Sequence, residues 1–80
     1  MPKLKILSGK NIVDIFVSFG FKIEKQRGSH AKLVRITLTS KQVLGIPIHK
    51  EVDKGTQKAI YNQALKYISE LELHGHFYTK

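Results

Sequence analysis

The residues best suited to chemistry are the five at Gly28-Ser29-His30-Ala31-Lys32. A glycine-containing turn brings backbone N–H groups close to a phosphate. The histidine after it belongs to the one residue type whose ordinary pKa, about 6.5, suits giving and taking a proton near neutrality. Lys25, Arg27, Lys32 and Arg35 flank it and offer positive charge to phosphates. RNA carries its own nucleophile, the 2′-hydroxyl. A proton-transfer group and cations around the phosphorane therefore suffice to cleave it, and neither metal nor cofactor is expected. On spacing alone, a histidine after Gly-Ser is more often a turn residue whose ring caps a carbonyl. The motif by itself leaves both readings open.

A second group surrounds the start of a C-terminal helix. His49 follows Pro47, and Lys50, Lys54 and Lys58 surround Gly55-Thr56. Free amides at a helix start attract anions, so Lys54, Gly55, Thr56 and Lys58 are candidate phosphate ligands and His49 a candidate RNA contact. The alternative is a solvated, charged face. His74-Gly75-His76 invites a metal reading, but i, i+2 histidines with no cysteine or third ligand make poor zinc geometry. Tyr61 and Tyr67 fit core packing better than base stacking.

Charge is the loudest compositional signal. Fourteen basic and six acidic residues give +8, and the excess is concentrated in residues 1–40, with eight basic against two acidic. That is the footprint of a polyanion binder, although an acidic protein partner is compatible with it. Eighty residues make one domain, spanning 1–80. There is no cysteine, so disulfides and cysteine-based zinc sites are excluded. The N-terminus lacks the apolar run of about 7–15 residues of a signal peptide, and no stretch approaches the ~20 apolar residues of a membrane span. The expected location is the cytoplasm.

The elements that must position these residues follow from periodicity. Ser8 is a candidate N-cap, and Ile12, Ile15, Phe16 and Phe19 recur at helical spacing before Gly20, which predicts a helix over about 9–19. Phe21–Glu24 alternates like a strand, and Arg27-Gly28-Ser29 forms a turn. Residues 31–38 form a second strand with Val34, Ile36 and Leu38 on one face. After a turn at 39–42, Val43–Ile48 is a third strand with Leu44, Ile46 and Ile48 on one face. Pro47 makes it an edge. Asp53 caps a second helix whose stripe is Ile60, Ala64, Leu65, Ile68 and Leu71. The tail 70–80 either prolongs this helix or adds a short strand at 75–78.

The order α-β-β-β-α predicts an α+β fold, a three-stranded antiparallel sheet with two helices on one face, as in double-stranded-RNA-binding domains. The expected core is Ile12, Ile15, Phe16, Phe19, Ile23, Val34, Ile36, Ile46, Ile60, Leu65 and Ile68. Strand parity puts His30 and Lys32 on the side of Val34 and Ile36, nominally the core side. Either the helices leave that strand end uncovered or a bulge re-aims it.

Two blocks together carry a family resemblance. Gly28-Ser29-His30 followed by Lys32, and Ile46-Pro47-Ile48-His49 followed by Lys54-Gly55-Thr56 and Gln63, resemble the signature of HicA-type (YcfA-like) toxins over roughly residues 8–68. The resemblance implies the double-stranded-RNA-binding fold, a ribosome-independent mRNA endonuclease (interferase) of a type II toxin-antitoxin system, and a HicB-type antitoxin as partner. It implies that His30 is the catalytic residue. Two positions depart from the pattern: Leu33 stands where an aromatic is usual, and Gln57 where an aliphatic residue begins the helix-two stripe. The competing functions are a non-catalytic double-stranded-RNA-binding module and a protein-interaction domain that meets an acidic partner. Only the nuclease makes His30 indispensable while the fold stays intact.

Overall fold

The helix that opens the chain is set at both ends by its sequence. In the computed structural model, which describes residues 2–79, α1 spans Gly9–Ser18. Ser8 Oγ accepts from the Asn11 N–H and Asn11 Oδ1 accepts from the Ser8 N–H, both at 3.0 Å, a reciprocal cap. At the other end Gly20 adopts φ +96°. Its N–H donates to the Val17 carbonyl and the Phe21 N–H donates to the Phe16 carbonyl. This is a Schellman closure, and the Phe16 and Phe21 rings meet edge-on at 5.8 Å as its apolar contact.

Three antiparallel strands follow: β1 (Lys22–Arg27), β2 (His30–Ile36) and β3 (Lys41–Pro47), ordered β1-β2-β3. β3 is an edge, as Pro47 requires. The β1–β2 hairpin closes on two residues, Gly28 and Ser29. Only Gly28 has positive φ (+53°), the pattern of a type II′ turn, which calls for glycine at its first central position. β1 carries a bulge between Ile23 and Lys25, so the pairs run Lys22–Val34, Ile23–Leu33, Lys25–Lys32 and Arg27–His30.

The core lies on the side of the sheet opposite to the one expected. Ala31 and Leu33 of β2 are buried together with Leu44 and Ile46, their register partners in β3. All three helices pack there. Ile36 is 77% exposed, and Leu38 and Ile23 are exposed as well. The expected face of Val34, Ile36 and Leu38 is thus the open one. The cause is composition: alanine and leucine at 31 and 33 looked weaker than three β-branched or aliphatic residues, yet they match the pleat parity of Leu44 and Ile46. Val34 is buried without helix cover, in the middle strand between Lys22 and Val43. Of the other expected core residues, Ile12, Phe16, Ile46, Ile60 and Ile68 are buried, while Ile15, Phe19 and Leu65 pack against the core from its rim.

The C-terminal third differs from the expected long second helix. α2 spans Lys54–Ala64, and a separate α3 spans Glu70–Phe77 with Ser69 as its N-cap. The element order is α-β-β-β-α-α. Leu71 falls outside the α2 stripe and is exposed, whereas Leu73 and Phe77 of α3 are fully buried. Phe77 lies against Phe16 and Tyr61, at 5.9 and 5.2 Å between ring centroids. The chain ends then pair: Leu4 bridges Tyr78, and the Lys5 and Thr79 N–H groups donate to the Phe77 and Lys3 carbonyls at 2.7 Å. Gln57 is buried, but its amide donates to the Lys5 carbonyl at 2.8 Å. The polar residue at the start of the α2 stripe ties this terminal ribbon to the helix layer.

Candidate functional site

The open face of the sheet gathers four of the expected site residues. Lys25, Arg27, His30 and Lys32 line one cleft of about 420 Å³, with Ala31 and Gly45 completing its wall. All four of these side chains are exposed. The hairpin brings them together, since Arg27 pairs with His30 and Lys25 with Lys32. The bulge is what makes this possible. With strict alternation from Lys22, residues 25 and 27 would fall on the helix side. The extra residue at 23–24 flips the remainder of β1, so both cations face the same way as His30.

Gly28 and Ser29 form the turn beside the ring. The Ser29 carbonyl accepts from the Ile48 N–H, which fastens the turn to the end of β3, and the Ser29 hydroxyl lies 3.5 Å from His30 Nδ1, the long limit of a hydrogen bond. Gly45 pairs with Lys32 across the β2–β3 ladder. A Cβ added at Gly45 would meet no atom within 4 Å. Packing does not demand that glycine, and what it supplies is open space above the sheet. The turn is braced from the other side by Gly9, whose N–H donates to the His49 carbonyl and where any Cβ would collide with the Pro47 carbonyl.

Two residues of this face were not singled out in the sequence. Glu24, at the bulge, makes ion pairs with Lys32 at 3.1 Å and Lys41 at 3.4 Å. The hydrogen bond from Lys32, then that from Lys41, holds its carboxyl below the usual carboxylate range. One signal was available: Glu24 is the only acid between Asp14 and Glu51. Gly45 left no comparable mark.

The remaining expected residues lie elsewhere. Arg35 is on the helix side of β2. It donates to the Phe19 carbonyl (2.8 Å), the Tyr67 carbonyl (2.9 Å) and Gln42 Oε1 (2.7 Å), and its guanidinium lies 4.9 Å from the centre of the Phe21 ring. Its charge is spent inside the protein, closing the ends of two helical segments. Lys54 and Lys58 line a separate depression with Pro2, Lys3, Leu4, Ile6 and Tyr78. At the start of α2, Asp53 accepts from the Thr56 N–H at 3.0 Å and from its hydroxyl at 2.7 Å. Those bonds, with a smaller contribution from His49, hold the Asp53 carboxyl below its usual range. The Thr56 amide, one of those that suggested a phosphate site, thus already carries an anion of the chain's own. His49 is exposed.

Among the described residues no group of three or more histidines, cysteines or acids stands where a metal would be held. No helix there is long and apolar enough to cross a membrane. No significant match was found among curated proteins or solved structures. The family model of the HicA toxin of bacterial toxin-antitoxin systems matches residues 9–65, from the start of α1 to the end of α2, and includes the whole of the His30 cleft. The chain therefore belongs to the HicA toxin family, with α3 and the terminal ribbon as elements outside the matched segment.

Proposed function

We propose that this HicA-family chain is a metal-independent mRNA endonuclease whose catalytic group is His30, held in check by a HicB-type antitoxin. The observation that carries this reading is the single histidine set among Lys25, Arg27 and Lys32 on an uncovered sheet face. RNA would lie across that face with a phosphate over the Gly28-Ser29 turn. His30 would take the proton of the adjacent 2′-hydroxyl, or return one to the leaving 5′-oxygen, while the cations stabilise charge on the phosphorane. The 2′-oxygen bonds to phosphorus as the bond to the 5′-oxygen breaks, so the products are a 2′,3′-cyclic phosphate (or its hydrolysed form) and a 5′-hydroxyl. The gap above Gly45 leaves room for the strand. Arg35, Lys54, Gly55, Thr56 and Lys58 have no part in this cleft, and His49 serves at most its margin.

The antitoxin reading follows from the same face. A basic, open surface attracts an acidic one before contact forms, and a partner seated there would cover His30 and displace RNA together. The test is His30→Ala. Cleavage of an RNA substrate should fall about 10²–10⁴-fold, the usual contribution of a proton-transfer group. Folding, followed by circular dichroism, and RNA affinity should persist, because exposed substitutions cost little stability and cations supply most of the affinity. Chelators should leave the wild-type rate unchanged. A variant cutting at the wild-type rate, or a 5′-phosphate product, would overturn the mechanism.

A further inference from the structure

The open face is not uniformly basic. Moving along β2 from the turn, His30 and Lys32 stand opposite Arg27 and Lys25. Beyond them the lining changes to Val34, opposite Lys22, and then Ile36. A second cleft of about 390 Å³ opens there, lined by Gly20, Lys22, Ile23, Glu24, Val34 and Ile36. That is within the range of small-ligand sites. Ile36 and Ile23 are 77% and 50% exposed, so its walls are apolar surface left in water. From His30 to Val34 is about 13 Å at the rise of a strand.

We infer that this apolar cleft is a nucleobase subsite on the same sheet face as the His30 cleft, and that Glu24 selects there for a base presenting an amino group. The inference rests on the RNA reading above and adds to it a determinant of sequence preference. Three features support it. A cleft with apolar walls beside a phosphate-binding face accepts the flat face of an unstacked base, the usual mode of single-stranded RNA recognition. A lone carboxylate on a cationic face is costly for phosphate binding unless it serves another contact. A carboxylate is acceptor-only, so it favours the amino-bearing edges of cytosine, adenine and guanine over uracil, whose one donor, N3–H, is flanked by two carbonyl oxygens that repel it.

The ion pairs with Lys32 and Lys41 are compatible with this role. Both are exposed, and exposed pairs hold weakly. Arriving phosphates draw the ammonium groups away, and the Glu24 oxygens are left facing the base. Lys32 thus alternates between Glu24 in the free protein and the strand in the complex.

The test uses the full chain carrying His30→Ala, so that RNA is bound and not cut. Four short single-stranded RNAs, uniform except for a run of C, A, G or U, are titrated by fluorescence anisotropy with Glu24 intact and with Glu24→Gln. With Glu24 intact, the U strand should bind more weakly than the best amino-bearing strand by about 5- to 100-fold, the discrimination of one good base-edge contact. Glu24→Gln should raise affinity for every strand, since a negative charge is lost. It should also collapse the ratio, because the amide can donate to uracil O4. The ratio is the diagnostic quantity, since a purely electrostatic Glu24 would shift all four strands alike. An unchanged ratio overturns the subsite while leaving His30 catalysis standing. No binding of any strand overturns both.

Discussion

The two faces of β2 treat similar residues in opposite ways. On the helix face, Arg35 donates to two backbone carbonyls and Gln42 and lies over Phe21. On the open face, Lys32 has one exposed partner, Glu24. Both count equally toward the +8 of the sequence. Only the second is available to an incoming phosphate. Alternate residues of one strand are thus divided between building the domain and facing solvent. A basic composition says how much charge there is, and the pleat decides how much of it reaches the surface.

The largest effect that sharpens this contrast comes from Leu33, the neighbour of Lys32 on the helix face. It is fully buried against Leu44. Leu33→Ala should cost about 2–5 kcal/mol. For a chain of this size, whose whole stability is about 4–12 kcal/mol, that lowers the melting temperature by roughly 10 °C or more. Lys32→Ala, one residue away, should leave the melting temperature nearly unchanged. Equal losses for the two variants in a thermal melt would contradict the division.

A smaller contrast separates the two cations themselves. Arg35→Met should destabilise by about 1–3 kcal/mol, because the Phe19 and Tyr67 carbonyls lose a charged donor. Under the RNA reading it should not change the salt dependence of RNA binding. Lys25→Met, Arg27→Met and Lys32→Met should behave inversely, each reducing the slope of log K against log salt by about 0.7 for a single strand, with stability little altered. An Arg35→Met protein with a reduced slope would mean that the guanidinium leaves its carbonyls to meet RNA.

Much of this was legible in the sequence, and the failures have physical causes. The caps of α1 and α2, the Gly28 turn and the edge position of β3 follow from local chemistry that tertiary contacts did not overrule. Composition alone points to the wrong face of β2, because Ala31 and Leu33 are flanked by more conspicuous aliphatics. Only pairing with Leu44 and Ile46 shows which parity meets the helices. Arg35 looks like a free charge in the sequence, since hydrogen bonds to distant carbonyls leave no mark at the level of spacing. α3 was obscured by Gly75 and two histidines near its end, though Ser69 and Glu72 were in place for a cap. The Glu24 bulge is invisible to a count of alternating residues. It nevertheless decides which side of β1 carries Lys25 and Arg27.

The smallest predicted effect tests whether the helix layer is as closed as the open face is accessible. Tyr61 is buried against Phe77 and Tyr78, and its hydroxyl donates to Glu70 at 3.3 Å. Burial first, and the neighbouring Glu70 charge second, push its pKa from the usual 10 up to about 12. The folded chain then holds this proton at a pH where the unfolded chain releases it. The stabilisation is complete below about pH 10 and is lost as pH rises toward 12. Between those limits the loss grows with pH. Tyr61→Phe carries no proton there. It should be less stable than wild type at neutral pH by under about 1 kcal/mol, the worth of one long hydrogen bond. Lysine deprotonation affects both proteins alike and cancels in the difference. Urea midpoints at pH 9 and pH 11 should therefore fall further for wild type than for Tyr61→Phe. Parallel losses would show that water reaches the Tyr61 hydroxyl and that the layer between α2 and α3 is open.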